Sequence, residues 1–121
     1  MKELKDYFCN YEQTQKILSL GFAGAEHLRH ITPNNETLYN LSESCFGAIS
    51  RAQALDYFRE KGYETIIEKY EAGYGYAIRF KVKKDTIIYL QGDFTPYEES
   101  ESMLIDRLIE MELNKEVQDG N

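Results

Sequence analysis

Two histidines and two cysteines are the residues of this 121-residue chain best suited to binding a metal ion. His27 and His30 stand three residues apart, and Cys9 and Cys45 are the only cysteines. Two imidazoles and two thiolates form a tetrahedral zinc site when they converge. The compact Cys-x-x-Cys spacing is missing, however, and residues three apart on a strand face opposite sides. We therefore expect no metal and no cofactor, and two small buried thiols instead.

Catalysis by a cysteine nucleophile would require one of these thiols beside a histidine, with a pKa below its usual value. No local motif brings the two residue types together. Paired carboxylates, Glu98-Glu99 and Glu110 with Glu112, lie on the exposed side of a predicted helix. General acid–base catalysis needs such groups in a desolvated pocket. The sequence favours a protein that is not an enzyme, and a small Cys/His enzyme is the second alternative.

A basic stripe follows one predicted strand and the turn after it: Arg79, Lys81, Lys83 and Lys84. A sheet that binds nucleic acid presents aromatic and cationic side chains together. Here the aromatic residues of the strand alternate with the cations and so face the other way. Glu64 and Glu68 can neutralise the cations across the sheet, and the net charge is -7. Nucleic acid is not the expected partner, and a nucleic-acid-associated regulator remains the first alternative.

Tyrosine is the dominant aromatic residue, with 10 copies and no tryptophan in the chain. Three tyrosines cluster around one predicted hairpin: Tyr70, Tyr74 and Tyr76. Tyrosine often anchors interfaces because it combines a large apolar area with a polar tip. We predict that these three form an interface with another protein or with a second copy of the chain. The alternative left open is that they line the sheet core and its rim.

Two capping boxes predict helices over residues 11–20 and 51–61. The boxes are Asn10 with Gln13 and Ser50 with Gln53, and the glycines that end the helices are Gly21 and Gly62. A third amphipathic helix begins with Thr95 as its N-cap and Pro96 at its first position. Residues 94–121 carry 8 acidic and 2 basic side chains, and we expect an acidic tail that frays from about residue 115.

Between the second and third helices the apolar spacing changes from helical to alternating. The pattern predicts an antiparallel meander of three strands over 63–71, 74–82 and 86–91, with turns at 72–75 and 84–85. A hairpin is predicted over 26–41, a short strand over 7–9 and irregular structure over 42–49. Residues 1–121 therefore form one α+β domain of order α-β-β-α-β-β-β-α, in which amphipathic helices pack on one face of an antiparallel sheet.

Three motifs together resemble a known group of proteins: residues 11–22 (YEQTQKILSLGF), 52–61 (AQALDYFREK) and 94–100 (FTPYEES). In this order they resemble small uncharacterised proteins found on prophages and mobile elements of Bacteroides-type gut bacteria. The likeness covers about residues 7 to 113. That group has no assigned activity, so no catalytic residue is carried over. The resemblance implies a bacterial or phage accessory protein of the cytoplasm.

The sequence also indicates where the chain acts. No run approaches the roughly 18 apolar residues of a membrane span, and the start, MKELKDYFCN, lacks an apolar signal-peptide core. Two thiols without a secretion signal fit a reducing cytoplasm. We therefore expect a cytoplasmic module that binds an unidentified protein and makes no membrane contact. A three-stranded sheet leaves an edge open to pairing, so the partner is either another protein or a second copy of this chain.

Overall fold

The computed structural model describes residues 4–23, 30–31, 37–38, 46–82 and 84–119. A 3₁₀ turn, Leu4–Tyr7, precedes helix α1, and two further helices follow: α1 is Tyr11–Ser19, α2 is Arg51–Glu60 and α3 is Tyr97–Asp119. A three-stranded antiparallel sheet lies between α2 and α3 in the chain. Its strands are β4 (Glu64–Tyr70), β5 (Gly73–Val82) and β6 (Asp85–Thr95), in the order β4-β5-β6. The predicted α+β class and the three-stranded antiparallel sheet are confirmed.

Both predicted capping boxes are present, which explains where α1 and α2 begin. The Asn10 side chain accepts a hydrogen bond from the Gln13 N–H at 2.8 Å, and the Gln13 side chain accepts one from the Asn10 N–H at 2.9 Å. Ser50 and Gln53 repeat the exchange at 3.0 Å in each direction. Each helix ends just before a glycine in the left-handed region, Gly21 at φ 105° and Gly62 at φ 103°.

Strand β5 begins earlier than predicted. Only Glu71 and Ala72 form the turn after β4, and the sequence Gly73-Tyr74-Gly75, predicted as part of that turn, belongs to β5. Strand β6 is also longer than predicted, because it continues past Gln91. Tyr76 pairs with Gln91, but Tyr74 pairs with Thr95. The step from Gln91 to Thr95 covers four residues of β6, whereas the matching step on β5 covers two. This bulge adds two residues to β6 and ends its regular pairing, which runs from Asp85 to Gln91.

Because β6 extends to Thr95, helix α3 starts one residue later than predicted. The Ser100 N–H donates to the Pro96 carbonyl at 3.0 Å. Tyr97 is therefore the first helical residue, where the sequence analysis expected Pro96; the Thr95 side chain, the predicted cap, lies outside the described residues. The helix is continuous to Asp119, beyond residue 115, where fraying was expected.

A second, smaller sheet is formed by short strands before α2. Its central strand β1 (His30–Ile31) pairs antiparallel with β2 (Thr37–Leu38) and β3 (Phe46–Gly47). Strand β3 lies in the stretch predicted to be irregular, so that prediction is wrong there. The predicted strand over 7–9 reduces to one bridge between Phe8 and Ser50. Most of the predicted hairpin over 26–41 lies outside the described residues.

The hydrophobic core lies between the helices and one face of the large sheet. Helix α3 contributes the largest share of its buried apolar side chains: Leu104, Ile105, Leu108 and Ile109. Ile17 of α1, Phe58 of α2 and Ile78 of β5 are each fully buried in the same cluster. The predicted packing of amphipathic helices on one sheet face is thus present. Among the described residues, no helix has the length and apolar character needed to cross a membrane.

Candidate interaction surface

Alternation along the strands gives the large sheet a face that points away from the core. We call it the open face, and its positions are residues 64, 66, 68 and 70 of β4, 75, 77, 79 and 81 of β5, and 86, 88 and 90 of β6. In one row across the sheet, Ala77 pairs with Ile66 on one side and Leu90 on the other. In the next row, Arg79 pairs with Glu64 and Ile88.

The centre of the open face is apolar and exposed. Ile66, Ile88 and Leu90 expose 54%, 61% and 67% of their surface. With the half-buried Ala77 they fill adjacent positions in two rows, and we call these four residues the apolar patch. Soluble proteins commonly expose single aliphatic side chains, whereas clusters bordered by polar residues mark interaction sites.

Charged side chains border the apolar patch. The Arg79 guanidinium donates to the Glu64 carboxylate across β4 and β5, and both side chains are more than half exposed. Lys81 is exposed one row further along β5, and Glu68 is exposed two positions beyond Ile66 on β4. An apolar centre with a polar rim is the usual anatomy of a protein–protein interface.

The three predicted interface tyrosines lie on both faces of the sheet. Tyr70 belongs to the open face, is 40% exposed and donates to Glu68 at 2.9 Å. Tyr76 faces the helices, is 5% exposed and stacks against Tyr89. Tyr74 is half-buried and meets the edge of the Tyr97 ring. Only Tyr70 therefore lies beside the apolar patch, whereas Tyr74 and Tyr76 line the core and its rim.

The basic stripe is divided in the same way. Arg79 and Lys81 are exposed on the open face, and Lys84 is exposed in the turn before β6; Lys83 lies outside the described residues. The aromatic side chains of β5 point to the opposite face, as predicted. Glu64 neutralises Arg79. The open face thus lacks, at the described positions around Arg79, the combination of free cations and stacking rings that single-stranded nucleic acid requires.

The candidate nucleophile Cys9 is 1% exposed. Burial raises the pKa of its thiol to about 12, although the nearby positive charge of Arg51 lowers it somewhat. A thiol of that pKa stays protonated at neutral pH and is a poor nucleophile and metal ligand. Among the described residues, no group of three or more His, Cys, Asp or Glu side chains is placed to hold a metal ion. Cys45, His27 and the His30 side chain lie outside the described residues.

Two other polar features were candidates for chemistry. Tyr63 is buried, and its pKa is raised by burial and then by a hydrogen bond to the buried Glu112 carboxylate, so the phenol remains neutral. A groove of about 380 Å³ opens to solvent between the end of α1 and α2, and its polar lining is Gln53, Asp56 and Glu60. Both acidic side chains there are exposed to water, and Asp56 already pairs with Arg59. Neither feature offers a set of groups that could carry a reaction.

The sequence analysis missed the three exposed aliphatic residues of the open face. A signal was present in the strand over 86–91, where apolar residues occupy both alternating sets: Ile87 and Tyr89 in one, Ile88 and Leu90 in the other. A strand with one solvated face has polar residues in one of these sets.

No protein-family model, curated protein or solved structure matches this chain.

Proposed function

We propose that this chain is a non-enzymatic protein–protein interaction module that binds its partner with the open face of the large sheet. The observation that supports this proposal is the apolar patch, in which three aliphatic side chains are more than half exposed in adjacent rows. Fully burying one such side chain contributes about 1.5–3 kcal/mol. Covering the patch would therefore supply a substantial part of the free energy of a specific complex.

The charged rim supports the same proposal, because it can select the partner. Rim charges mainly set association rate and orientation. Glu64 and Arg79 neutralise each other, which leaves Lys81 and Glu68 at opposite ends of the apolar patch. A matching partner carries an aliphatic or aromatic group at its centre, with an acidic group for Lys81.

The experiment that tests this function compares two double variants with the wild type. Ile66→Lys with Leu90→Lys places two charges in the apolar patch. Gln15→Lys with Asn114→Lys adds the same charge at exposed helix positions and serves as the matched control. Each tagged protein is used to capture partners from host lysate, and its oligomeric state is measured. We expect a stoichiometric partner with the wild type and the control but not with the patch variant. Equal capture by all three proteins would refute the proposal.

A gel shift with single-stranded and duplex nucleic acid tests the first alternative, the nucleic-acid-associated regulator. If the wild type shifts nucleic acid and the double variant Arg79→Glu with Lys81→Glu does not, the protein is a nucleic-acid-associated regulator and the proposed interaction module is refuted. The burial of Cys9 argues against this thiol as the nucleophile of the second alternative, the Cys/His enzyme, since it is inaccessible and its raised pKa keeps it protonated.

The proposal also covers the cellular setting of the protein and the hairpin predicted before α2. The resemblance of the three motifs supports a role as a cytoplasmic accessory protein of a phage or mobile element. A hairpin within 26–41 is supported by the antiparallel pairs His30 with Leu38 and Ile31 with Thr37, whereas β3 adds a strand before α2 that the predicted element order lacks.

A further inference from the structure

The two edges of the large sheet are protected very differently. Strand β4 carries three charged residues within seven: Glu64, Glu68 and Lys69. Strand β6 has seven consecutive uncharged residues without proline, Thr86 to Gly92. Native sheets block unwanted edge pairing with charges and prolines, and uncharged segments rich in β-branched and aromatic residues pair readily. The edge suited to strand pairing is therefore β6.

The bulge defines how much of this edge is regular. Pairing with β5 follows a constant register from Asp85 to Gln91 and shifts beyond it. Among the described strands, β6 pairs with β5 alone, so its other side presents seven regular residues. Ile88 is the middle residue of the seven and is 61% exposed.

We propose that β6 pairs antiparallel with β6 of a second copy of this chain, about a two-fold axis at Ile88, so that two sheets join into one of six strands. The inference rests on the proposed interaction function and extends it, because pairing at the β6 edge leaves the open face of each copy available to a partner. Ile88 then lies opposite Ile88 of the second copy, and Asp85 lies opposite Gln91. The open faces of the two copies lie on the same side, and their apolar patches become continuous.

The charges and the bulge favour this register over its neighbours. An axis one residue later, at Tyr89, would place Asp85 opposite Asp93 of the second copy, and like charges directly opposite are destabilising. That register would also pair bulged positions with regular ones. The Ile88 register pairs all seven regular residues with each other. The second copy is the favoured occupant because the same segment supplies both strands.

Disulfide trapping tests the register directly, in a Cys45→Ser background that leaves only the buried Cys9. Ile88→Cys places two thiols on directly opposite residues, whose Cα atoms lie about 4.5–5.5 Å apart, within disulfide range. Leu90→Cys and Ile66→Cys are controls of similar exposure on the same face. In the proposed dimer the Leu90 pair is offset by about 13 Å along the strands. The Ile66 pair shares this offset and is also separated by about 24 Å across five strand spacings, so it is about 27 Å apart.

We expect Ile88→Cys to form a disulfide-linked dimer at least about tenfold faster than either control. We also expect the wild type to show a concentration-dependent monomer–dimer equilibrium in sedimentation. Fastest linkage at Leu90→Cys would overturn the register, and fastest linkage at Ile66→Cys would replace edge pairing with face-to-face packing. A wild type that stays monomeric, with equal slow linkage in all three variants, would overturn self-association. In that last case the interaction function still stands if the Ile66→Lys with Leu90→Lys variant loses a captured partner.

Discussion

Arg51 and Glu101 form an ion pair that is almost completely removed from solvent. The Arg51 Nη1 atom lies 3.3 Å from Glu101 Oε1, and only 11% and 9% of the two side chains are exposed. The same guanidinium donates to the carbonyls of Glu98 at 2.7 Å and Phe8 at 3.3 Å. One side chain at the start of α2 thus joins α3 to the segment that precedes α1.

Replacing this arginine should destabilise the fold strongly. Arg51→Met leaves the buried Glu101 carboxylate without its counter-charge, which costs about 3–5 kcal/mol. The control is Arg59→Met, which breaks the exposed pair of Arg59 with Asp56 and should cost about 0.2–1 kcal/mol. Urea unfolding measures both free energies. Equal losses in the two variants would show that Arg51 does not hold the helices together.

A methyl group at Gly75 should also destabilise the protein, because β6 crosses very close to it. A Cβ atom there would lie 2.6 Å from the Gln91 carbonyl oxygen, 2.8 Å from Gly92 Cα and 2.9 Å from the Tyr70 ring. Two of these atoms are backbone, so the bulge must move. We expect Gly75→Ala to lower the free energy of unfolding by about 1–3 kcal/mol.

Gly92→Ala is the matched control for Gly75→Ala, since a methyl group at Gly92 would meet no atom within 4 Å beyond its chain neighbours. Its effect should stay within about 0.5 kcal/mol, as for most surface substitutions. Thermal or urea unfolding compares the two variants. If Gly75→Ala is as stable as Gly92→Ala, the close crossing of β6 over β5 is refuted.

The Cys9 thiol should be almost inert in the folded protein. With its pKa raised to about 12 by burial, the thiolate fraction at pH 8 is about a thousandfold below that of an ordinary cysteine. The measurement is the rate of reaction with a disulfide reagent in a Cys45→Ser background, with and without urea. We expect slow labelling of the folded protein and fast labelling in urea. A folded rate within tenfold of the unfolded one would contradict this assignment and make Cys9 a candidate nucleophile.

The helices α1 and α2 could be predicted because their signals are local. Asn10 and Ser50 each exchange two hydrogen bonds with a residue three positions on, and Gly21 and Gly62 end the helices by their own backbone preference. The alternation along β5 likewise assigned each side chain to a face without any knowledge of the third helix.

The features that escaped prediction depend on residues far apart in sequence. Gly75 reads as a turn residue, and only its contact with the backbone of Gln91 and the Tyr70 ring explains a glycine within β5. The bulge after Gln91 carries β6 on to Thr95, and α3 starts one residue later than predicted. The apolar patch is visible only once the register places Ile66 and Leu90 on either side of Ala77.

Consecutive residues of β5, such as Tyr76, Ala77 and Ile78, alternate between the core and the open face. Selection for a stable core and selection for binding a partner therefore act on neighbouring positions of the sequence. Tyr76 and Ile78 are buried in the core, whereas Ala77 is half-buried and its neighbours across the sheet, Ile66 and Leu90, are exposed. The gene can therefore change what its product associates with at the exposed open-face positions, with Gly75 excepted, while the buried scaffold beneath is inherited unaltered.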